Sequence, residues 1–179
     1  MYIICITIVI TAIATVHETS FIEWMLHKYV MHRPILGFRY PFEAHAQLHH
    51  QSFKSDMTYH LINEKVQDKW TIPMAWWNGP VLIFIASLPS LLVWIVLPSW
   101  EIRLWVYATN VVFIALYYGA YEYIHWCMHL PKKRLMEKWS VFIWLDQHHR
   151  LHHERMGRNF NVVYPFADWV MGTLLRAKH

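Results

Sequence analysis

Histidine is the residue whose arrangement in this chain demands a chemical explanation. There are 14 of them, against 16 lysines and arginines together, and eleven fall into four short clusters. The clusters are HKYVMH (His27, His32), HAQLHH (His45, His49, His50), HWCMH (His125, His129) and HHRLHH (His148, His149, His152, His153). On a helix, residues four apart share a face, so the pairs His45/His49, His125/His129, His148/His152 and His149/His153 can each aim two imidazoles at one place. Neighbouring histidines point about 100° apart and can serve two different positions. The pattern therefore predicts two metal ions held close together. The spacing of five in HKYVMH fits a straight helix poorly: one member lies beyond the helix end, or the helix bulges. Imidazole donors suit iron, zinc, copper or nickel and disfavour magnesium and calcium, which prefer oxygen.

Metal-bound histidines need acceptors for their second ring nitrogen. The carboxylates near the clusters are Glu23, Glu122, Asp146 and Asp168, with Glu122 and Asp146 closest in sequence to a histidine. The isolated His17, His60 and His179 read as ordinary hydrogen-bonded or solvated residues. Two cysteines, Cys5 and Cys127, are too few for a disulfide framework and read as small buried hydrophobes.

The elements that position these residues are apolar. Hydrophobic residues make up 56% of the chain and charged ones 16%, where a soluble domain has about a quarter charged. A membrane-crossing helix needs roughly 20 apolar residues, and three segments qualify: about 2–26, 74–97 and 102–124. The second carries Pro80 and Pro89, which neighbouring helices can accommodate. Only four residues separate the second and third, which makes them an antiparallel hairpin. A cleaved signal peptide would need a basic stretch ahead of the first apolar run, and none is present.

Charge then gives an orientation. Six of the lysines and arginines lie between Lys28 and Lys69, nine between Lys132 and Lys178, and only Arg103 lies near the hairpin loop. The positive-inside rule places 28–73 and 125–179, with all four clusters, in the cytoplasm. The net charge of +4 is explained by an anionic leaflet and calls for no nucleic-acid partner. The remaining aromatic-rich stretches suit helices at the membrane interface. The expected fold is thus an all-α integral membrane bundle of three spans, residues 1–179 as one domain, capped by cytoplasmic interfacial helices that carry a di-metal site.

The order H-x4-H, H-x3-HH, H-x3-H, H-x2-HH over residues 27–153 resembles the fatty acid hydroxylase superfamily of membrane di-iron enzymes, which includes sterol desaturases, fatty acid 2-hydroxylases and bacterial β-carotene hydroxylases. The run NFNVVYPFADWVMGT, with Asn159, Asn161, Asp168, Gly172 and Thr173, is similar to that family's closing segment. The resemblance implies His27, His32, His45, His49, His50, His125, His129, His149, His152 and His153 as ligands, with His148 an additional one. Glu122, Asp146, Asn159, Asn161 and Asp168 would support them. It implies two iron ions, with zinc as a substitute in preparations, O₂ as co-substrate, an apolar lipid-like substrate from the bilayer, and a separate electron donor of ferredoxin, cytochrome b5 or reductase type. The chain departs from larger members in lacking a fused cytochrome b5 region, and from β-carotene hydroxylases in placing three rather than two residues in the second box.

That resemblance leads to hydroxylation of a lipid or fatty-acyl C–H bond, with desaturation or carotenoid hydroxylation on the same site as alternatives. Met74, Trp76, Trp77, Phe113, Tyr117 and Tyr118 are the expected substrate walls. A transporter would place ionisable groups along its span centres, and a b-type haem would need one histidine pair on facing helices. Neither describes ten histidines gathered at helix ends.

Overall fold

The computed structural model describes residues 2–61 and 70–176. Lys65, Lys69, Lys178 and His179, used above in the charge and histidine arguments, lie outside them. The described residues are helical, with a single isolated bridge between Ile35 and Phe38. Helix α1 (Tyr2–Leu26) runs directly into a π-helical turn, His27–Met31. A broken helix, α2, follows: Tyr40–Phe42, a π-helical stretch Glu43–His49, then His50–Ser52. Helices α3 (Asn78–Val96) and α4 (Trp100–His129) form the hairpin, and α5 (Ser140–Glu154) and the short α6 (Phe166–Val170) complete the chain.

Three helices are long and apolar enough to cross a membrane: Tyr2–Met31, Asn78–Val96 and Trp100–His129. Large apolar side chains on their outer faces are exposed, Ile95 at 76% and Val96 at 78% among them, as lipid-facing residues must be. The second span starts later than the sequence implies. Met74 to Trp77 lie ahead of the helix, which places Pro80 in its first turn, where a missing N–H costs nothing. Pro89 lies within the helix, and nearby the Ser87 and Ser90 hydroxyls donate to the carbonyls of Phe84 and Ser87. Ser99 caps α4 by accepting from Ile102 N–H, and Arg103 turns back to the Leu97 carbonyl.

Polar contacts fix how α1 and α4 lie against each other. Asn110 donates to Thr15 Oγ1 and Glu18 Oε2, both at 3.1 Å, and the Tyr117 hydroxyl donates to Glu23 Oε2 at 2.6 Å. The approach of α3 to α4 depends on Gly79, where a Cβ would sit 2.8 Å from the Tyr118 ring. Of the two cysteines, Cys127 is buried as expected. Cys5 instead is exposed on α1, where an apolar side chain faces lipid and not a protein core.

The C-terminal segment straps the base of α1. Val162 N–H donates to Glu23 Oε1, Asn161 Nδ2 to Glu23 Oε2, and Trp24 Nε1 to Thr173 Oγ1. Asp168 is fully buried and organises this strap, accepting from the N–H groups of Phe160 and Asn161 and from the Thr173 hydroxyl. Asn159 and Gly172 adopt left-handed conformations, φ 55° and 67°, that asparagine and glycine tolerate best.

Candidate metal centre

Ten histidines converge into two groups of five. His27, His32, His45, His50 and His152 form one, here called group A. His49, His125, His129, His149 and His153 form group B. Within each, one ring nitrogen per residue lies within 4.8 Å of all the others. Donors on opposite sides of a metal with bonds of about 2.1 Å would be about 4.2 Å apart, so each cluster has the dimensions of a coordination shell. The groups adjoin: the rings of His50 and His153 are 4.2 Å apart, and those of His45 and His49 are stacked at 5.1 Å.

The two groups are built by different local structure. Group B uses α-helical pairs four residues apart, His125/His129 on α4 and His149/His153 on α5, as the spacing predicts. Group A uses pairs five apart, His27/His32 and His45/His50, each on a π-helical stretch in which hydrogen bonds close from i to i+5. Of the two arrangements open for HKYVMH, the bulge is the one present, with His32 closing it. The expected pairing of His45 with His49 is corrected, because the second cluster is also π-helical and sends these two residues to different groups. The adjacent pairs His49/His50 and His152/His153 divide between the two groups, as adjacent histidines on a helix can.

His148 belongs to neither group. Its Nε2 lies 3.3 Å from Asp168 Oδ2 and its ring stacks on Trp144, so the additional ligand and the His148/His152 pair are both corrected. His148 ties α5 to the C-terminal strap, and Asn159 does the same by donating to the His148 carbonyl.

Ring orientation is set by backbone carbonyls. The Nδ1 atoms of His27, His49, His129, His152 and His153 donate to the carbonyls of Phe160, Thr71, Tyr59, Arg158 and Phe53, with His129 at 2.9 Å and His152 at 2.7 Å. A carbonyl can only accept, so a neutral ring held this way carries its proton on Nδ1 and presents a lone pair at Nε2. His149 Nε2 lies 3.1 Å from His129 Nε2 and 3.0 Å from His153 Nε2. One imidazole N–H can serve only one of two such lone pairs, so hydrogen bonding alone leaves group B unsatisfied. A cation among the five nitrogens satisfies all of them.

Protonation is not the alternative. Burial, followed by the neighbouring imidazoles, holds His45, His49, His149 and His152 well below the ordinary histidine range, and burial lowers the more accessible His32 to about 4. These rings are held neutral at physiological pH, the form that can ligate a metal. Five nitrogen donors and no carboxylate suit a first-row transition metal and exceed the four ligands of a structural zinc site.

The carboxylates act one bond further out than the sequence implies. None contacts a histidine of either group. Asp146 accepts from the Tyr59 hydroxyl at 3.1 Å, and it is the Tyr59 carbonyl that holds His129. Asp168 and Glu23 fix the residues around Phe160, whose carbonyl holds His27. Glu122 accepts from Met74 N–H at 3.3 Å and shapes a cavity wall. Sequence reasoning could not find Phe53, Tyr59, Thr71, Arg158 or Phe160 as ring clamps, because any residue can supply a carbonyl.

Two cavities reach the site. One lies between the spans, walled by Ile22, Leu26, Leu82, Ile83, Tyr117 and Tyr118, and touches His27. Glu23 also borders it, but its two oxygens are occupied by Tyr117, Asn161 and Val162, which leaves the cavity apolar. The other is bordered by Tyr40, Thr71 and Asn78 and touches His45 of group A and His125 of group B. Met31, Met74 and Tyr121 line both. Of the residues expected as substrate walls, Met74, Tyr117 and Tyr118 line the first cavity. Trp76 (84% exposed), Trp77 and Phe113 border neither cavity. No family model, curated protein or solved structure matches the chain, so its function is argued from this geometry.

Proposed function

We propose that the protein is a membrane di-iron oxygenase that hydroxylates a C–H bond of a lipid or fatty-acyl chain. The observation that carries this reading is the meeting of two adjoining five-imidazole groups with an apolar cavity between the spans. The overall change is R–H + O₂ + 2e⁻ + 2H⁺ → R–OH + H₂O, the electrons coming from a separate donor of ferredoxin, cytochrome b5 or reductase type. The two five-imidazole groups would hold two iron ions, which would supply the reductive activation of O₂ that no side chain provides unaided. The chain does the rest. Carbonyl clamps fix the tautomer and direction of the rings, apolar walls exclude water, and the cavity brings one stretch of hydrocarbon beside His27. The excess of basic residues over 28–69 and 132–178 supports a cytoplasmic site by the positive-inside rule.

The test is to load the purified protein with iron, supply a reductase system and O₂ with membrane lipid extract, and analyse products by mass spectrometry. A product heavier by one oxygen supports the proposal. A product lighter by two hydrogens makes the protein a desaturase, and no turnover with both sites filled makes it a non-enzymatic metal-binding membrane protein.

A further inference from the structure

The first span carries a line of polar side chains that the metal centre does not use. Thr7, Thr11, Thr15 and Glu18 are spaced four, four and three apart, which sets them on one face of α1. With Ser90 of α3 and Asn110 of α4 they border a cavity of about 480 Å³ between the spans. That is the size of a small-molecule site, roughly 300–1,000 Å³. It lies towards the end of the bundle away from the histidines: Asn110 precedes His125 by fifteen residues on α4, roughly 22 Å along the helix. Hydrocarbon from Ile10, Val93 and Val106 makes up much of the remaining wall. One polar atom of this cavity is left over. Asn110 is 3% exposed, and its Nδ2 is committed to Thr15 Oγ1 and Glu18 Oε2. Its Oδ1 is buried without a hydrogen-bond partner among the described residues. The Glu18 carboxylate requires the N–H side of the amide, so the atom left over is an acceptor.

We propose that this cavity is a second lipid site, separate from the metal centre, which takes a lipid alcohol: a hydroxyl head on a hydrocarbon body. The hydroxyl donates to Asn110 Oδ1, and the body lies against Ile10, Val93 and Val106. A buried carbonyl oxygen within the bilayer has no water to turn to, so a ligand that brings a donor is favoured over one that brings none. An ionised acid head sets acceptors against Asn110 Oδ1 and the Glu18 carboxylate, whereas a hydroxyl can donate. The position gives the ligand a structural consequence. Helices α1 and α3 both pack along α4, and the cavity lies between them. The bound alcohol therefore joins the first span to the hairpin. The site requires neither a metal nor turnover and goes beyond the oxygenase reading.

The test places the full chain in phosphatidylcholine nanodiscs and adds dodecanol carrying a photoreactive diazirine beside the hydroxyl. After irradiation the labelled peptides are mapped by mass spectrometry. Label should fall on residues 7–18, 89–97 and 102–110, and excess unlabelled dodecanol should remove it. Asn110→Leu should weaken labelling about tenfold. Because that change also removes the bonds of Asn110 to α1, Val106→Phe provides an independent arm: it fills the cavity, leaves the polar groups in place, and should lower labelling at least as much. Label confined to residues 19–26 and 82–86, at the chamber beside His27, overturns the proposal. So does label at the cavity that survives Val106→Phe, or competition by dodecane, dodecylamine or dodecanoate as effective as that by dodecanol. Chains that pair in the nanodisc through this face and take up no alcohol overturn it as well.

Discussion

Groups A and B hold the same number of imidazoles and share neighbours, yet they are built on different foundations. Group B takes four of its five rings from two regular α-helices and only His49 from a π-helical stretch. Group A takes four from the two π-helical stretches and the residues that close them, a rarer and less stable backbone arrangement, and only His152 from α5; its His27 is held by the Phe160 carbonyl that the C-terminal strap brings up. On that contrast, B is expected to be the better preformed half of the site and A the half that relies more on the strap.

The largest effect is expected from removing a ligand of B. His129→Ala should reduce bound metal from two ions to at most one and lower turnover by more than about a hundredfold. His32→Ala, at the accessible edge of A, should empty A while B still fills, and elemental analysis of both variants checks this. Equal loss from both groups in both variants would mean that they form one cooperative unit.

Next comes the strap. Asp168→Ala removes the acceptor of two buried N–H groups and the Thr173 hydroxyl, and should cost about 3 kcal/mol in thermal or denaturant unfolding. It should also weaken metal affinity tenfold or more at A, with B little changed in competition titrations with a chelator.

pH separates the groups in the same direction. An imidazole held below its ordinary value stays neutral in the folded chain while the unfolded chain takes up protons, so its contribution to stability is present above about pH 6.5 and lost as pH falls. For His32 the loss runs from about 6.5 down to its folded value of about 4. Metal-free protein should therefore unfold more easily at about pH 5.5 than at about pH 7.5, and loaded protein should release the ion of A before that of B on acidification. Circular dichroism melts and metal release followed with a chromogenic chelator measure the two.

The smallest effect is expected from Tyr59→Phe. This keeps the carbonyl that holds His129 and loses only the hydroxyl bond to Asp146, so about 1 kcal/mol of stability should go without loss of either ion.

The same contrast explains how much was legible in the sequence. The spans were, because twenty-odd apolar residues admit few other readings, and four of the five rings of group B were, because His125/His129 and His149/His153 follow the α-helical period. The spacing of five in HKYVMH showed that a straight helix would not serve, and left the bulge as one of two ways out. The second cluster hid its own: HAQLHH contains spacings of both four and five, and only the π-helical backbone decides that His45 pairs with His50. His148 looked like a ligand because it extends a run of histidines, but on α5 it faces Asp168. The carbonyl clamps carry no side-chain signature at all. Asn159, Asn161 and Asp168 stood out in the closing segment, although their work is to hold the strap and not to touch the rings.

If each group binds one transition-metal ion through its imidazole nitrogens, X-ray absorption spectroscopy of the purified protein, with metal content measured on the same sample, should show two ions per chain, a first shell dominated by nitrogen at about 2.1 Å with the multiple-scattering pattern of imidazole, and loss of that shell in a His129→Ala, His152→Ala double variant. A shell of sulfur, a shell dominated by carboxylate oxygen, or metal content unaffected by the double variant would contradict such binding.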